Sequence, residues 1–290
     1  MSGPVASVVV ATRDRPAALM RCITALLAQS AQHVEIVVVD DGSAQPEAVR
    51  AAIARALLTV PAQRPPVKVV EGCGRGPAAA RNAGARAACG TIVCFTDDDC
   101  VAGPDWVARL TAACDASGAA AGTTVAGRAA GHAAAASQLL THTLQVASLD
   151  RASGALGFAP TCNLACRADI ARALPFDEAY PLAAGEDRDW CDRLAAAGFA
   201  LRFEPDALVE HRPRLGLGGL LRQQARYGHG AVRFRSGRGG RRLSGRVFYR
   251  RLARDAWRAG PAVAALVALA QVAVAAGALC EAFGRRPAQR

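Results

Sequence analysis

Thr91 to Cys100, TIVCFTDDDC, is the stretch whose reading decides the fold of this chain. Thr91 to Phe95 is a short apolar, mostly β-favouring run that predicts a buried strand, and it ends abruptly in Asp97, Asp98 and Asp99. Three like charges side by side repel, and a divalent metal with phosphates on its far side would neutralise them. A lone DDD triplet is more often an acidic solvated turn. The surrounding chain decides between the two.

Upstream, Ala6 to Ala11 (ASVVVA) is a continuous apolar run suited to a strand covered on both faces, followed by the polar turn Thr12-Arg13-Asp14-Arg15-Pro16. From Ala17 to Gln29, Leu19, Ile23, Leu26 and Leu27 recur at helical spacing, with Pro16 near the helix start. A second strand, Val34 to Val39, ends at Asp40-Asp41-Gly42-Ser43 and leads into an alanine-rich helix. Val67 to Val70 predicts a third strand. The glycine-rich loop from Gly72 to Pro77 and a helix over Ala78 to Ala88 follow. Right-handed crossovers bring the C-terminal ends of parallel strands to one edge, so Asp14, Asp40, Asp41 and Asp97 to Asp99 are expected to line one crevice. Gly74 to Ala79 fits the loose G-x-G-x-x-[GA] dinucleotide pattern, but it follows the third strand and has proline where backbone N–H groups should meet a pyrophosphate. It is not read as a dinucleotide site.

Downstream, Pro104 to about Ala116 predicts a helix, and residues 118–160 are rich in Ala, Gly, Ser and Thr with weak patterning. His132 and His142 there lack acidic or cysteine neighbours and read as ordinary histidines. Pattern returns at Thr161 to Arg167 and at Phe176-Asp177-Glu178. Gly185-Glu186-Asp187-Arg188-Asp189-Trp190 then opens a helix over Asp189 to Ala197 that Gly198 closes. Capping would explain one of the carboxylates Glu186 and Asp187 but does not need both. Leu201 to Phe203 and Ala207 to Val209 predict two short strands around the turn Glu204-Pro205-Asp206, leading to Glu210-His211-Arg212.

The 290 residues can bury a full core without staples. A mean hydropathy of +0.15 and 52% hydrophobic residues overstate the apolarity, because much of it is alanine. The ten cysteines show no C-x-x-C pair, which argues for buried free thiols in a reducing compartment and against a disulfide framework or zinc site. No secretory signal is visible at the start, so the bulk of the chain is expected in the cytosol. Charge is concentrated: residues 222–258 carry twelve arginines against the single acid Asp255, leaving +11, the whole of the chain's net charge. Such a segment suggests an anionic partner, a membrane surface or nucleic acid.

Over roughly residues 5 to 235 the chain resembles a family 2 glycosyltransferase. The matching pieces follow in order: the TRDRP turn, DDGS, GPAAARNAGARAACG with its Arg-Asn pair, FTDDD, TCNLACR, PFDE, GEDRDWCDRLAAAGF and HRPR. The resemblance implies an α/β fold of the GT-A type, a nucleotide-sugar-binding, Rossmann-like and mainly parallel sheet flanked by helices. It places the catalytic domain at 1–235, and 236–290 as an Arg-rich segment plus an apolar C-terminal helix. It also implies that Asp41, with Thr12 and Asp14 nearby, holds the nucleobase and ribose, that Arg81 supports the nucleotide, and that Asp97 serves both nucleotide and metal. Asp97, Asp98 and Asp99 with His211 would bind Mg²⁺ or Mn²⁺ at the diphosphate, with the role of Asp98 unassigned. Asp187, with Glu186 as the competing candidate, would be the catalytic base, and Asn163 and Asp177 would lie near the acceptor.

These residue types suit the chemistry. Hard oxygen ligands hold a divalent ion that neutralises charge on the leaving diphosphate, and a carboxylate takes the proton of the attacking hydroxyl. One base opposite the leaving group implies inversion. The first turn departs from the family in having Ala11 and Arg13 where many members have Pro and an aromatic. Gln223-Gln224-Ala225-Arg226-Tyr227 is similar to the Q-x-x-R-W of processive synthases, but tyrosine replaces tryptophan and the several membrane helices of such synthases are missing from this sequence. A single addition in cell-envelope glycan or glycolipid synthesis is expected, with a nucleotide-diphosphate sugar donor and a hydroxyl acceptor that membrane attachment would allow to be lipid-linked. The alternative is a catalytically inactive relative whose basic segment binds nucleic acid or membrane; the intact set Asp97, Asp99, Asp187 and His211 argues against it. A sugar nucleotidylyltransferase lacks support because no G-x-G-T-R type N-terminal loop is present.

Pro261 to Cys280 holds no charged residue and one strongly polar one, Gln271, and is just long enough to span a bilayer. Arginines flank both ends (Arg254 and Arg258; Arg285, Arg286 and Arg290), so charge sets no orientation. The helix is expected either to associate with the cytoplasmic face of the membrane, together with the Arg-rich segment, or to dock on the catalytic domain.

Overall fold

The computed structural model describes residues 5–60, 64–127, 130–180, 184–238 and 245–284. In chain order the first elements are β1 (Ala6–Thr12), α1 (Pro16–Leu27), β2 (Val34–Asp40), α2 (Pro46–Leu57), β3 (Val67–Glu71), α3 (Pro77–Ala87), β4 (Ile92–Asp97), β5 (Cys100–Ala102), α4 (Trp106–Ser117) and β6 (Gly118–Ala126). There follow α5 (His132–Ala147), β7 (Leu149–Asp150), β8 (Ala155–Leu156), β9 (Leu164–Arg167), α6 (Ala168–Ala173), α7 (Glu186–Ala196), β10 (Ala200–His211), α8 (Leu217–Arg238), α9 (Arg246–Arg258) and α10 (Pro261–Gly284).

One mixed sheet carries the fold, in the order β3-β2-β1-β4-β9-β6-β10-β8-β7, with β5 pairing β10. Its longer pairings, β1 with β2 and β4, β2 with β3, and β6 with β10, are parallel. Val8 and Val10 of β1 face a layer that includes Leu19, Ile23 and Leu110, while Val9 faces the opposite layer with Ala80, Trp190 and Leu194. Burial on both faces is what a strand without alternation requires. Strand order reverses at β1, between β2 and β4, so the crevice at the sheet's C-terminal edge opens where Thr12 and the carboxylate triplet meet.

Several boundaries differ from those the sequence predicts. β4 continues through Asp97, and the turn Asp98-Asp99 joins it to β5, so the triplet spans a strand end, a turn and the approach to a second strand. α7 starts at Glu186, three residues before the expected start, behind Gly185 at φ +101°. The two short strands expected at 201–209 are one strand, β10, with a register shift between Glu204 and Leu208. β6 (GAAAGTTVA) is a strand despite its alanines, because it lies inside the sheet between β9 and β10 where packing overrides propensity. The cysteines are free, and seven of the ten are buried, in line with the thiol reading.

α8 runs through the boundary expected at residue 235, and α9 and α10 pack back onto α5 and α8. Phe248, Leu252, Val263, Val267 and Ala270 join Leu140, Leu144 and Leu220 in one apolar cluster. α8 and α10 cross almost backbone to backbone: a Cβ on Gly228 would lie 2.1 Å from the Val274 carbonyl oxygen, and one on Gly277 2.0 Å from that of Ala225. α10 is long and apolar enough to cross a membrane, yet it exposes Leu269, Val272, Leu279 and Phe283 while burying Val263, Val267, Ala270 and Gly277. Arg241, Arg242, Arg285, Arg286 and Arg290 of the expected basic flanks lie outside the described residues. Gly277→Val is expected to destabilise the fold by about 1–3 kcal/mol through overpacking at this crossing; a lower thermal midpoint with earlier proteolytic release of α10 checks it.

Candidate active site

The local sequence explains how the carboxylate triplet separates. Asp97 is the last residue of β4, with its side chain 31% exposed; Asp98 turns inward and is 0% exposed; Asp99 is 12% exposed. Each finds a different partner. The Thr12 hydroxyl at the end of β1 donates to Asp98 Oδ2 at 2.7 Å. Arg15, the N-cap residue of α1, lies 3.2 Å from Asp98 and donates to Asp99 Oδ2 at 2.9 Å. His211, the last residue of β10, places Nε2 3.3 Å from Asp99 Oδ1, and its Nδ1 lies 3.2 Å from Gln138 Oε1 of α5.

Electrostatics follow from these contacts. Burial, with Asp99 adding and Arg15 opposing, pushes the Asp98 carboxyl up to about 7. Burial acts on Asp99 in the same direction, but the hydrogen bond and charge of His211 outweigh it and hold the carboxyl below its ordinary value. His211 is raised to about 9 because Asp99 overcomes the cost of burying the imidazolium. Asp99, Cys100 and His211 could hold a metal, each offering a ligand atom within 4.8 Å of the others. The Cys162 hydrogen bond and burial push the Cys100 thiol up, and the neighbouring Asp97 adds a second carboxylate to that of Asp99, the oxygen donors that a hard cation takes.

Arg81 of α3 joins the triplet to the acidic pair Glu186 and Asp187. Its guanidinium donates to Asp97 Oδ1 at 2.8 Å and to Glu186 Oε1 at 3.2 Å, and its side chain is 5% exposed. The adjacent Asn82 fixes the loop that follows α6: its Nδ2 donates to the Phe176 carbonyl and to Glu178, and its Oδ1 accepts from Phe176 N–H. Phe176 packs edge-on against Phe95 of β4, centroids 5.3 Å apart, and stacks on Trp190 of α7 at 5.7 Å. This aromatic bridge sets α7 against β4 and so carries Glu186 and Asp187 to the triplet. Burial, reinforced by Asp187, raises Glu186 to about 7, and burial raises Asp187 as well. Glu186 is 3% exposed and leaves Oε2 without a partner; Asp187 is half-buried and accepts from Arg188 N–H at 2.8 Å.

Arg81, Asp97, Glu186, Asp187 and His211 line one cavity of about 260 Å³. On the far side of the triplet Asp41 is 5% exposed, accepts from Gly76 N–H at 2.9 Å and leaves Oδ1 unpartnered, so it anchors the glycine-rich loop beside β2. Asp14, at φ +56°, ties the first two loops together: its N–H donates to Ser43 Oγ, and its carboxylate accepts from Ala44 N–H. Two expected acceptor residues are not brought to the cavity. Asn163 is fully buried, with Oδ1 accepting from Trp106 Nε1–H at 2.8 Å and Nδ2 donating to the Thr123 and Ala207 carbonyls, so its polar atoms are spent bridging α4, β6 and β10. Asp177 accepts from Ala179 N–H in the turn after Phe176 and is not among the cavity's lining residues. Sequence reasoning missed Arg15, Gln138, Gln224 and Tyr227. Arg15 lay within the quoted TRDRP turn, Gln224 and Tyr227 lay in the segment similar to Q-x-x-R-W, and Gln138 had no local signal in its alanine-rich surroundings.

The family model described as glycosyl transferase family 2 matches residues 7–173, and one described as glycosyl transferase family group 2 matches residues 92–280. A pre-mycofactocin glycosyltransferase of Mycobacterium tuberculosis is 30% identical over 240 residues, which cover 78% of this chain and 46% of the relative. The chain thus spans about half the length of that relative. Glycosyltransferase AglE of Haloferax volcanii is 28% identical over 238 residues, 79% of this chain and 73% of the relative. Among solved structures, the mannosyltransferase PcManGT from Pyrobaculum calidifontis in complex with GDP-Man and Mn²⁺ superposes with a TM-score of 0.66 at 18% identity, covering 99% of this chain and 89% of that one. S. aureus TarS 1-349 in complex with UDP-GlcNAc gives 0.53 at 17% identity, covering 97% and 91%. With a family model over more than half its length, set on a GT-A sheet whose crevice gathers the carboxylate triplet and the Glu186–Asp187 pair, the chain belongs to glycosyl transferase family 2.

Proposed function

We propose that this protein transfers a sugar from a nucleoside diphosphate donor to an acceptor hydroxyl, with inversion and with the help of a divalent metal. The observation that carries the reading is the double ion pair of Arg81, which sets Asp97 and Glu186 in one cavity with Asp187 and His211. The donor set fits Mg²⁺ or Mn²⁺: Asp97 and Asp99 offer hard oxygen, His211 an imidazole, and Asp99 and His211 already approach to 3.3 Å. A bound ion there would supply charge neutralisation for the leaving diphosphate. Asp41, Thr12, Asp14 and Arg81 are assigned to the nucleotide side, and Asp98 to holding Thr12 and Arg15 at the end of β1.

Asp187 is the base in this reading. Its carboxyl is raised and its residue is half-buried, whereas Glu186 is buried against Arg81 and serves to position it. As the acceptor oxygen forms its bond to the anomeric carbon, the bond from that carbon to the diphosphate breaks; the hydroxyl proton passes to Asp187 and the nucleoside diphosphate leaves. The solved neighbours with GDP-Man and Mn²⁺ and with UDP-GlcNAc support the donor class. The exposed apolar side of α10 and the arginines of α8 and α9 support attachment at the cytoplasmic face of the membrane, and with it a role in envelope glycan or glycolipid synthesis. Residues 1–235 would then hold the donor and 236–290 mediate the attachment.

Two measurements test this. Mn²⁺-dependent hydrolysis of UDP-, GDP- and dTDP-sugars should detect turnover in the wild type, and Asp99→Ala should lower it by about a hundredfold or more; no donor bound or cleaved, or an Asp99→Ala variant equal to wild type, overturns the reading. Asp187→Asn should lower the rate of transfer by about 10²–10⁴-fold with donor affinity retained, as followed by rapid-quench kinetics and donor titration.

A further inference from the structure

The cavity beside Asp187 presents more cationic and hydrogen-bond-donating groups than its own carboxylates use. Arg188 and Arg235 both line it, and among the described residues neither guanidinium has a salt-bridge carboxylate. The Arg235 Nε–H is taken up within its own helix by the Ala231 carbonyl at 3.0 Å. Burial, reinforced by the like charge of Arg235 and opposed by Asp187, holds Arg188 below the usual arginine range. Gln224, 2% exposed, lines the same cavity and leaves its Nε2 donor unpartnered. Converging like charges and an unused buried donor are costly without an anion to receive them.

Apolar side chains lie among the polar ones of this wall, which include Ser137, Thr141 and Gln271. Leu140 and Leu144 of α5, Phe158, Phe248 of α9 and Val274 of α10 line it, and the Arg188 guanidinium lies 5.6 Å above the Phe158 ring. Arg235 and Tyr249 are exposed, so the cavity opens at α8 and α9. α10, which supplies Val274 inside, exposes Leu269 and Val272 outside. Arg188 follows Asp187 in α7 and both line the cavity, whereas His211 is held by Asp99 at 3.3 Å. A negative group placed at Arg188 therefore lies on the Asp187 side, where an acceptor must present its hydroxyl.

We propose that Arg188, Arg235 and Gln224 bind the phosphate or diphosphate of an amphiphilic acceptor whose apolar chain lies between α5, α9 and α10. The proposal deepens the transferase reading and rests on it in one respect, the assignment of Asp187 to the acceptor side. The charged group would fix the acceptor's depth, so that a hydroxyl carried near it reaches Asp187, while the apolar chain leaves through the opening beside Tyr249. A phosphate group thereby selects acceptors that an apolar groove alone would not distinguish from other lipids.

The experiment titrates the full chain by calorimetry with octyl phosphate, octanol and inorganic phosphate. Octyl phosphate should bind about tenfold or more tightly than either of the others, and Arg188→Gln/Arg235→Gln should lose about tenfold for octyl phosphate while changing octanol little. Inorganic phosphate binding as well as octyl phosphate would mark a free-phosphate site, and an unchanged double variant would remove the arginines from binding; either overturns the proposal. GDP- and UDP-sugar titrations with Mn²⁺ on the same variant separate the other source of phosphate, since an equal loss of donor affinity assigns the pair to the donor and also overturns it. If the double variant unfolds, Arg235→Gln alone, at the cavity mouth, should still weaken octyl phosphate by about threefold or more, and no change refutes the subsite. Failure of the transferase reading looks different: the wild type would then bind octyl phosphate yet cleave no donor.

Discussion

The buried guanidinium of Arg81 is the constraint on which the site depends. It takes one carboxylate from the end of β4 and another from the start of α7, positions 89 residues apart in the chain (Asp97 and Glu186), and is itself almost wholly shielded from water. A charge in such a place is tolerated only while its partners are in position; removing one partner of a buried pair typically costs about 3–5 kcal/mol. The cavity geometry is thus tied to the fold. The neighbouring Asn82 and the Phe95–Phe176–Trp190 contacts make the same junction from apolar and neutral groups.

The triplet shows how one acidic run divides into three environments. A strand end, a buried turn position and the approach to an antiparallel strand give its members different exposure and different partners. Asp98 is held by Thr12 and Arg15 and pushed up to about 7 by burial, while Asp97 faces the cavity and Asp99 pairs with His211. Repulsion within the run is relieved by Arg15 at the N-cap of α1 and Arg81 of α3, together with His211 from β10.

The C-terminal helices are part of the cavity wall. α9 contributes Phe248 and Tyr249, α10 contributes Gln271 and Val274, and the glycine-mediated crossing of α8 and α10 lets them approach that closely. Docking on the body and an exposed apolar outer side coexist in α10, so the two fates expected of it are not exclusive: one stripe packs, and the other stays available to an apolar phase.

Much of this was legible in the sequence. The runs ASVVVA, VEIVVV and TIVCF and the Pro-started helices determined the parallel half of the sheet, because local periodicity and turn chemistry are written residue by residue, and the family resemblance carried by the order of the motifs placed Thr12, Asp41, Arg81, the triplet, Glu186, Asp187 and His211 among the candidates. Only the tertiary structure decided that β6 is a strand, that β10 is continuous, that Asn163 is a core bridge, that Arg15 meets the triplet, and that Gln138, Gln224 and Tyr227 line the cavity. Those outcomes depend on which side chains meet across the sheet and between helices far apart in the chain, and long-range packing and burial leave no periodic mark on the segments they join.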